Sequence, residues 1–289
     1  MPATSTTDPL PTGAVPVPPS LEQVVILARY QLRDYLRARR FLILFALVVA
    51  IGAIVTIVVA HYRPAGIIDS ASGLYGSLWG GGVPFVIVLA AVFFGGDAIA
   101  GEFQNKTGYF LMGLPVRRAT VYAGKYIAAF LASLAIVVVF ALIILGNAVV
   151  YLGPDAFVGS LALSFLLAVV YLMAVLGVTF LFSSLFKVST YGTILTAILF
   201  LFGFSLLQTL VQVLADTTPW FVISYAQSVI GAVLSDNCFT QPGTHDCTSG
   251  GFSQTVTNPT VPEGVAIMVA YFLVTALVGL VRFEREEFS

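Results

Sequence analysis

Apolar residues fall in six long blocks, with the polar residues gathered between them. The blocks are Phe41–Ala60, Leu74–Phe94, Tyr126–Leu152, Leu161–Phe182, Tyr191–Leu214 and Val265–Val281, and none holds Asp, Glu, Lys, Arg or His. A helix of twenty residues is about 30 Å long, the thickness of a bilayer's hydrocarbon core. The pattern predicts an all-α polytopic membrane protein with six transmembrane helices.

A different periodicity precedes the first block. Over Leu21 to Arg40, residues Leu21, Val25, Ala28, Leu32, Tyr35 and Leu36 fall on one side of a helix. Arg29, Arg33, Arg37 and Arg40 fall near another, with Arg39 on the apolar side at the helix end. This predicts an amphipathic helix, 21–40, lying along the membrane with its arginines toward anionic headgroups. Residues 1–20 are dense in proline and lack both Lys/Arg and an apolar core, so they read as a disordered tail rather than a secretion signal. Residues 21–289 then form a single membrane domain.

Between the fifth and sixth blocks lies the segment 215–264. Its first part, Pro219–Leu234, is apolar but short and is interrupted by Ser224, Gln227 and Ser228. That length suits a re-entrant or interfacial helix before the last span. Its second part, Ser235–Pro262, is rich in Thr, Ser, Gly and Pro and reads as an exposed loop.

Composition agrees with the pattern. The chain is 58% hydrophobic and 9% charged, against about 25% charged in soluble domains. A net charge of −1 argues against a nucleic-acid partner. The placement of Lys and Arg orients the chain. With the N-terminus inside, the inner segments hold Arg29, Arg33, Arg37, Arg39, Arg40, Lys106, Arg117, Arg118, Lys125, Lys187, Arg282 and Arg285, and the outer segments hold only Arg63. This positive-inside pattern predicts a multi-pass protein of the cell membrane with both termini cytoplasmic. It puts Cys238 and Cys247, the two cysteines, in one loop on the oxidising side. A disulfide is expected there, with two free thiols as the open alternative.

Candidate chemistry is sparse. Proton- or sodium-coupled carriers keep ionisable groups in the membrane, and these blocks have none. The polar residues inside them are neutral. Gln208 and Gln212 lie four apart on one helix face near Ser205; they either hydrogen-bond between helices or line a path. Gly124-Lys125-Tyr126 lacks the remainder of a phosphate-binding loop. No Ser/His/Asp arrangement or metal-ligand spacing is found, and His61 and His245 both fall in loops. No cofactor is expected in this chain.

The stretch 97–118 is a compact polar and basic segment between two apolar blocks. It runs through Glu102, Thr107-Gly108, Leu111, Leu114-Pro115 and Arg117-Arg118 to Gly124-Lys125. That series resembles the motif after the second span of permease subunits in type-2 ATP-binding-cassette exporters. The order Thr-Gly departs from the family's usual Gly-Thr. The ending, from Arg282 to Phe288, is similar to the family's short cytoplasmic tail. The likeness covers about residues 21–289 and is nearest to the permeases of nitrous oxide reductase maturation systems.

The resemblance implies a dimeric permease, expected as a homodimer with a heterodimer left open, and two separate ATPase subunits that carry ATP and Mg on its inner face. It implies that 98–114 forms a coupling helix seated in an ATPase cleft, with Glu102, Lys106, Thr107, Gly108, Arg117 and Arg118 as the coupling residues. It implies that spans two and five line a central path, capped outside by a re-entrant element. The competing readings are an ATPase-independent channel or carrier, and a membrane anchor or assembly subunit without transport.

Overall fold

The computed structural model describes residues 19–64, 66–104, 117–186, 188–215, 217–236, 238, 240–249 and 252–285. Among them, six helices are long and apolar enough to cross a membrane. Spans one to six are Arg39–Tyr62, Ala71–Glu102, Arg118–Ala156, Gly159–Leu185, Ser189–Leu214 and Val261–Arg285. The chain is an all-α polytopic membrane protein, and an even number of spans returns its two ends to one side. That side holds nearly all of the arginines and is called the basic side here.

Each span outruns its apolar block. Span three gains most, because its helix starts at Arg118, about two turns before Tyr126. The extension carries Lys125 into a buried position within a helix.

The core sits around spans two and four, whose most apolar windows are 72% and 61% buried, whereas that of span five is only 11% buried. Trp79, Tyr75, Tyr171, Phe94, Phe140 and Phe180 are its largest fully buried side chains. Spans one, five and six therefore clothe a bundle built on two, three and four.

The N-terminal helix runs over Ser20–Arg37 and is separated from span one by Ala38, in an extended conformation. It packs along the start of span three. Gly124 makes the approach close: a Cβ there would sit 2.8 Å from that of Leu27. The helix has two apolar faces where the periodicity predicts one. Val24, Leu27, Ala28, Leu32 and Tyr35 turn toward the bundle, while Leu21, Val25 and Leu36 stay exposed beside Arg29, Arg33 and Arg37. One face thus serves the protein, and the other is free for an apolar surrounding.

Spans two and five are irregular. Span two is α-helical over Ala71–Leu74, winds as a π-helix over Tyr75–Gly80 and returns to α over Gly81–Gly95. Pro84 cannot donate to the carbonyl four residues back, that of Gly80, so the helix re-registers at that point. Span five carries its own π turn, Leu199–Gly203, between Ser189–Ile198 and Phe204–Ala215.

The segment before span six departs from expectation in two ways. Instead of one re-entrant or interfacial helix there are two short ones, Ile223–Gln227 and Val229–Ala232, wedged into the bundle with Ile223, Ala226, Val229 and Ile230 fully buried. The expected loop contains an antiparallel hairpin, Gly243–Ser249 with Phe252–Asn258, in a register that pairs Ser249 with Phe252. A disulfide joins Cys238 to Cys247 on its first strand, with their Cα atoms 5.8 Å apart.

Candidate functional site

The densest polar network lies on the basic side, where span two ends. After Gly95 the helix loosens through a turn, then re-forms as Ala100–Gln104. A new helix start leaves backbone N–H groups without intrahelical partners. Here Ser183 of span four serves as the acceptor: its hydroxyl takes the N–H groups of Ile99 and Ala100, each at 3.0 Å.

Charged side chains fasten the same segment. Asp97 accepts from the Arg40 guanidinium of span one and from the Ser189 hydroxyl of span five. Lys125 of span three donates to the Ala98 carbonyl at 2.8 Å and to the Glu102 carboxylate at 2.5 Å. Gln104 accepts the backbone N–H of Ser189 at 3.1 Å. From the N-terminal helix, the Tyr35 hydroxyl donates to the Phe94 carbonyl at 3.1 Å. Burial pushes the Tyr35 phenol above its ordinary range, and the Asp97 charge adds to the effect. Residues 94–104 are thus tied to the N-terminal helix and to spans one, three, four and five. Span six joins nearby, where Arg118 donates to the Glu284 carbonyl at 2.8 Å.

Of the residues named from sequence, Glu102 sits inside this network, and its side chain is 20% exposed, against 10% for that of Lys125. Arg117 is exposed, immediately before span three, and Arg118 opens that span. Lys106, Thr107 and Gly108 lie outside the described residues, as does most of 98–114. Sequence reasoning missed Asp97, Ser183, Ser189 and the structural role of Lys125. Asp97 had a signal: it is the first charge after 33 residues counted from Pro64 that contain only one other, Asp69. Ser183 and Ser189 had none.

In the other half of the membrane, spans two and five border a cavity of about 310 Å³. Gly80, Gly81, Pro84, Phe200, Ser205 and Gln227 are among its walls, so the two π turns face one space. Gln208 accepts from the Ser224 hydroxyl at 2.7 Å, fastening span five to the short helix pair. Ser205, Thr209 and Gln212 remain exposed along one stripe of span five. The short helices are held further by Tyr171, whose hydroxyl donates to Gln227 at 2.6 Å, and by a buried relay. In that relay Trp79 Nε1 donates to Ser164 at 2.9 Å, and Ser164 donates to the Ile230 carbonyl at 2.5 Å.

The arrangement holds no catalytic constellation among the described residues. It is a set of mechanical ties at one membrane face and, toward the other, a cavity whose described walls are uncharged and mix apolar with polar side chains. A protein-family model described as "ABC-2 family transporter protein" matches residues 25–288. No curated protein matches the chain.

Proposed function

Since the chain belongs to the ABC-2 transporter family, we propose that it is the permease of an ATP-driven exporter, working as a dimer with two ATPase subunits that supply ATP and Mg. Permeases of this family are generally non-catalytic transport subunits. In this reading the basic side is cytoplasmic, the protein resides in the cell membrane, and 98–114 is the coupling helix. The resemblance to nitrous oxide reductase maturation permeases belongs to the same proposal.

One observation carries the reading. The basic-side end of span two, which leads into the proposed coupling segment, is bonded to spans one, three, four and five through Asp97, Ala98, Ile99, Ala100, Glu102 and Gln104. A surface pressed by a partner moves the bundle only if it is fastened to the bundle. A simple loop between two spans needs no such fastening. Part of this bonding satisfies a helix start in any bundle; the ties by Asp97, Glu102 and Gln104 to three further spans are what favour the coupled reading.

The path in this reading runs along spans two and five. The exposed Ser205 and Gln212 on the stripe of span five are poorly suited to lipid, because polar groups in hydrocarbon lose their hydrogen bonds to water, whereas Thr209 between them donates to the Ser205 carbonyl at 3.0 Å. The stripe suits a wet path or the facing copy of the dimer.

Co-purification tests the proposal. An ABC ATPase from the same genome should co-elute with this chain in detergent, and its ATP hydrolysis in vesicles should rise when the permease is present. An ATPase that neither binds nor responds returns the choice to a channel or an anchor.

A further inference from the structure

A second chamber lies beyond the first, away from the basic side. It holds about 550 Å³, within the range of ligand sites. Its walls come from three stretches of chain: 66–80, the short helix pair with residues 235 and 236, and the hairpin segment through Thr240 and Asn258. Among its described walls, Ser70, Ser72, Ser77, Ser228, Ser235 and Thr240 bring hydroxyls, beside five glycines and no large apolar side chain. The one charged residue among these described walls is Asp236, which is exposed, and no Lys or Arg appears there.

This chamber is held in shape rather than left as a surface crease. Thr240 donates to Ser235 at 2.7 Å, and Asn258 donates to the Gln241 carbonyl at 3.0 Å. The Cys238–Cys247 bridge lies between these walls and staples them to the hairpin. The chamber also meets the cavity between spans two and five, since Gly80 and Ser228 line both. At the junction the backbones touch: a Cβ on Gly80 would stand 2.6 Å from the Gly231 Cα. Gly80 ends the π turn of span two, so the contact falls where that helix is least regular.

We propose that this chamber is an exit vestibule for polar cargo bearing no negative charge, closed from the mid-membrane cavity by the Gly80–Gly231 contact. The proposal rests on the permease reading for its direction of flow. Its charge selectivity follows from the walls and what stands directly behind them: the Asp236 carboxylate, and that of Asp69, which accepts the N–H of the wall residue Gly66 at 2.8 Å, attract cations and repel anions, while the neutral dipoles tolerate neutral groups.

Thiol chemistry tests it. The native cysteines are bridged, so an introduced cysteine is the chain's free thiol. Ser77→Cys, and Ser235→Cys as a second site, would be treated from outside with membrane-impermeant cationic and anionic methanethiosulfonates. Each rate would be divided by that of a free small thiol. The cationic reagent should react roughly fivefold faster or more than the anionic one, and adding Asp236→Lys should reverse the order. Ser205→Cys should stay unreactive at rest and react only while the ATPase turns over. Silence at both Ser77→Cys and Ser235→Cys overturns the chamber, and equal rates or a preference for the anion overturn the selectivity. A Ser205→Cys that reacts at rest, or never reacts beside an ATPase shown to be coupled, overturns the seal. The resting measurements need no ATPase, so they decide the chamber and its selectivity even where the permease reading fails.

Discussion

The Lys125 ammonium holds both ends of one turn, the Ala98 carbonyl at 2.8 Å and the Glu102 carboxylate at 2.5 Å. Its own position depends on its neighbour. Gly124 lets the N-terminal helix lie against span three, and Lys125 follows with its chain directed beneath the end of span two. The Gly-Lys pair at the head of span three thus has a physical reading: one residue admits a helix, and the next anchors a turn.

Removing one partner of this pair breaks the tie between spans two and three in a partly buried place, and loss of the ammonium also takes a donor from the Ala98 carbonyl. Lys125→Met should cost more than the roughly 1 kcal/mol of an exposed pair and at most the roughly 3–5 kcal/mol of a fully buried one broken from one side. Glu102→Lys sets two ammonium groups against each other and should be at least as damaging, while the exchange Glu102→Lys with Lys125→Glu should recover much of the loss. Thermal unfolding in detergent reads stability, and ATPase stimulation in vesicles reads coupling. An exchange variant that is stable yet uncoupled would assign the Glu102 carboxylate to the ATPase interface as well. Full coupling in Glu102→Lys alone would remove the residue from the mechanism.

The Arg40–Asp97 pair should behave differently. The Arg40 side chain is 60% exposed, and exposed pairs contribute about 0–1 kcal/mol. Arg40→Ala should therefore leave unfolding nearly unchanged. Asp97→Asn also weakens the tie to Ser189 of span five and should lower permease-dependent ATP hydrolysis more than Arg40→Ala does. Equal activity in the two variants would count against a role for the Ser189 tie.

Ser183→Ala deletes one hydroxyl and leaves the backbone N–H groups of Ile99 and Ala100, at the entry to the Ala100–Gln104 helix, without this acceptor. A buried donor left unsatisfied costs about 1–3 kcal/mol. Ser183→Thr, which keeps the oxygen, should be milder than Ser183→Ala. The reverse order in thermal unfolding would show that packing, not the hydrogen bonds, governs the site.

The spans were legible because hydrocarbon tolerates so few residue types. The ends of the spans were not, since polar residues such as Lys125 enter a helix only when a distant partner is waiting. Glu102 could be matched locally with Lys106, four residues away, but its partner at Lys125 is 23 residues on and needs the folded bundle to be seen. The hairpin did leave a trace. Gly250-Gly251 stands between the two strands, a dipeptide suited to a two-residue turn. The surrounding Thr and Ser match the composition of a loop, although threonine also favours strands.

Sidedness and redox state can be checked together. With Cys238 and Cys247 both replaced, Ser249→Cys should react with an impermeant maleimide in intact cells and Ser289→Cys should not; the reverse would invert the proposed orientation. In the native chain, alkylation without reduction should add no mass, because the two cysteines are bridged. Closing a loop of this size stabilises a fold by about 2–3 kcal/mol, so reduction should lower the unfolding temperature. Two alkylated thiols in the unreduced protein would remove the bridge.

The π turn of span five has a consequence for chain length. Such a turn is an α-helix carrying one surplus residue, taken up here over Leu199–Gly203. Each residue of an α-helix advances the winding by about 100°. Deleting one residue from this turn would restore regular winding and swing Ser205, Thr209 and Gln212 about a quarter-circle or more away from where Tyr191 and Ile194 now set the face. In lineages of this chain, insertions and deletions at that point would therefore act as a dial on which side of span five is polar, with no change in the identity of any remaining residue.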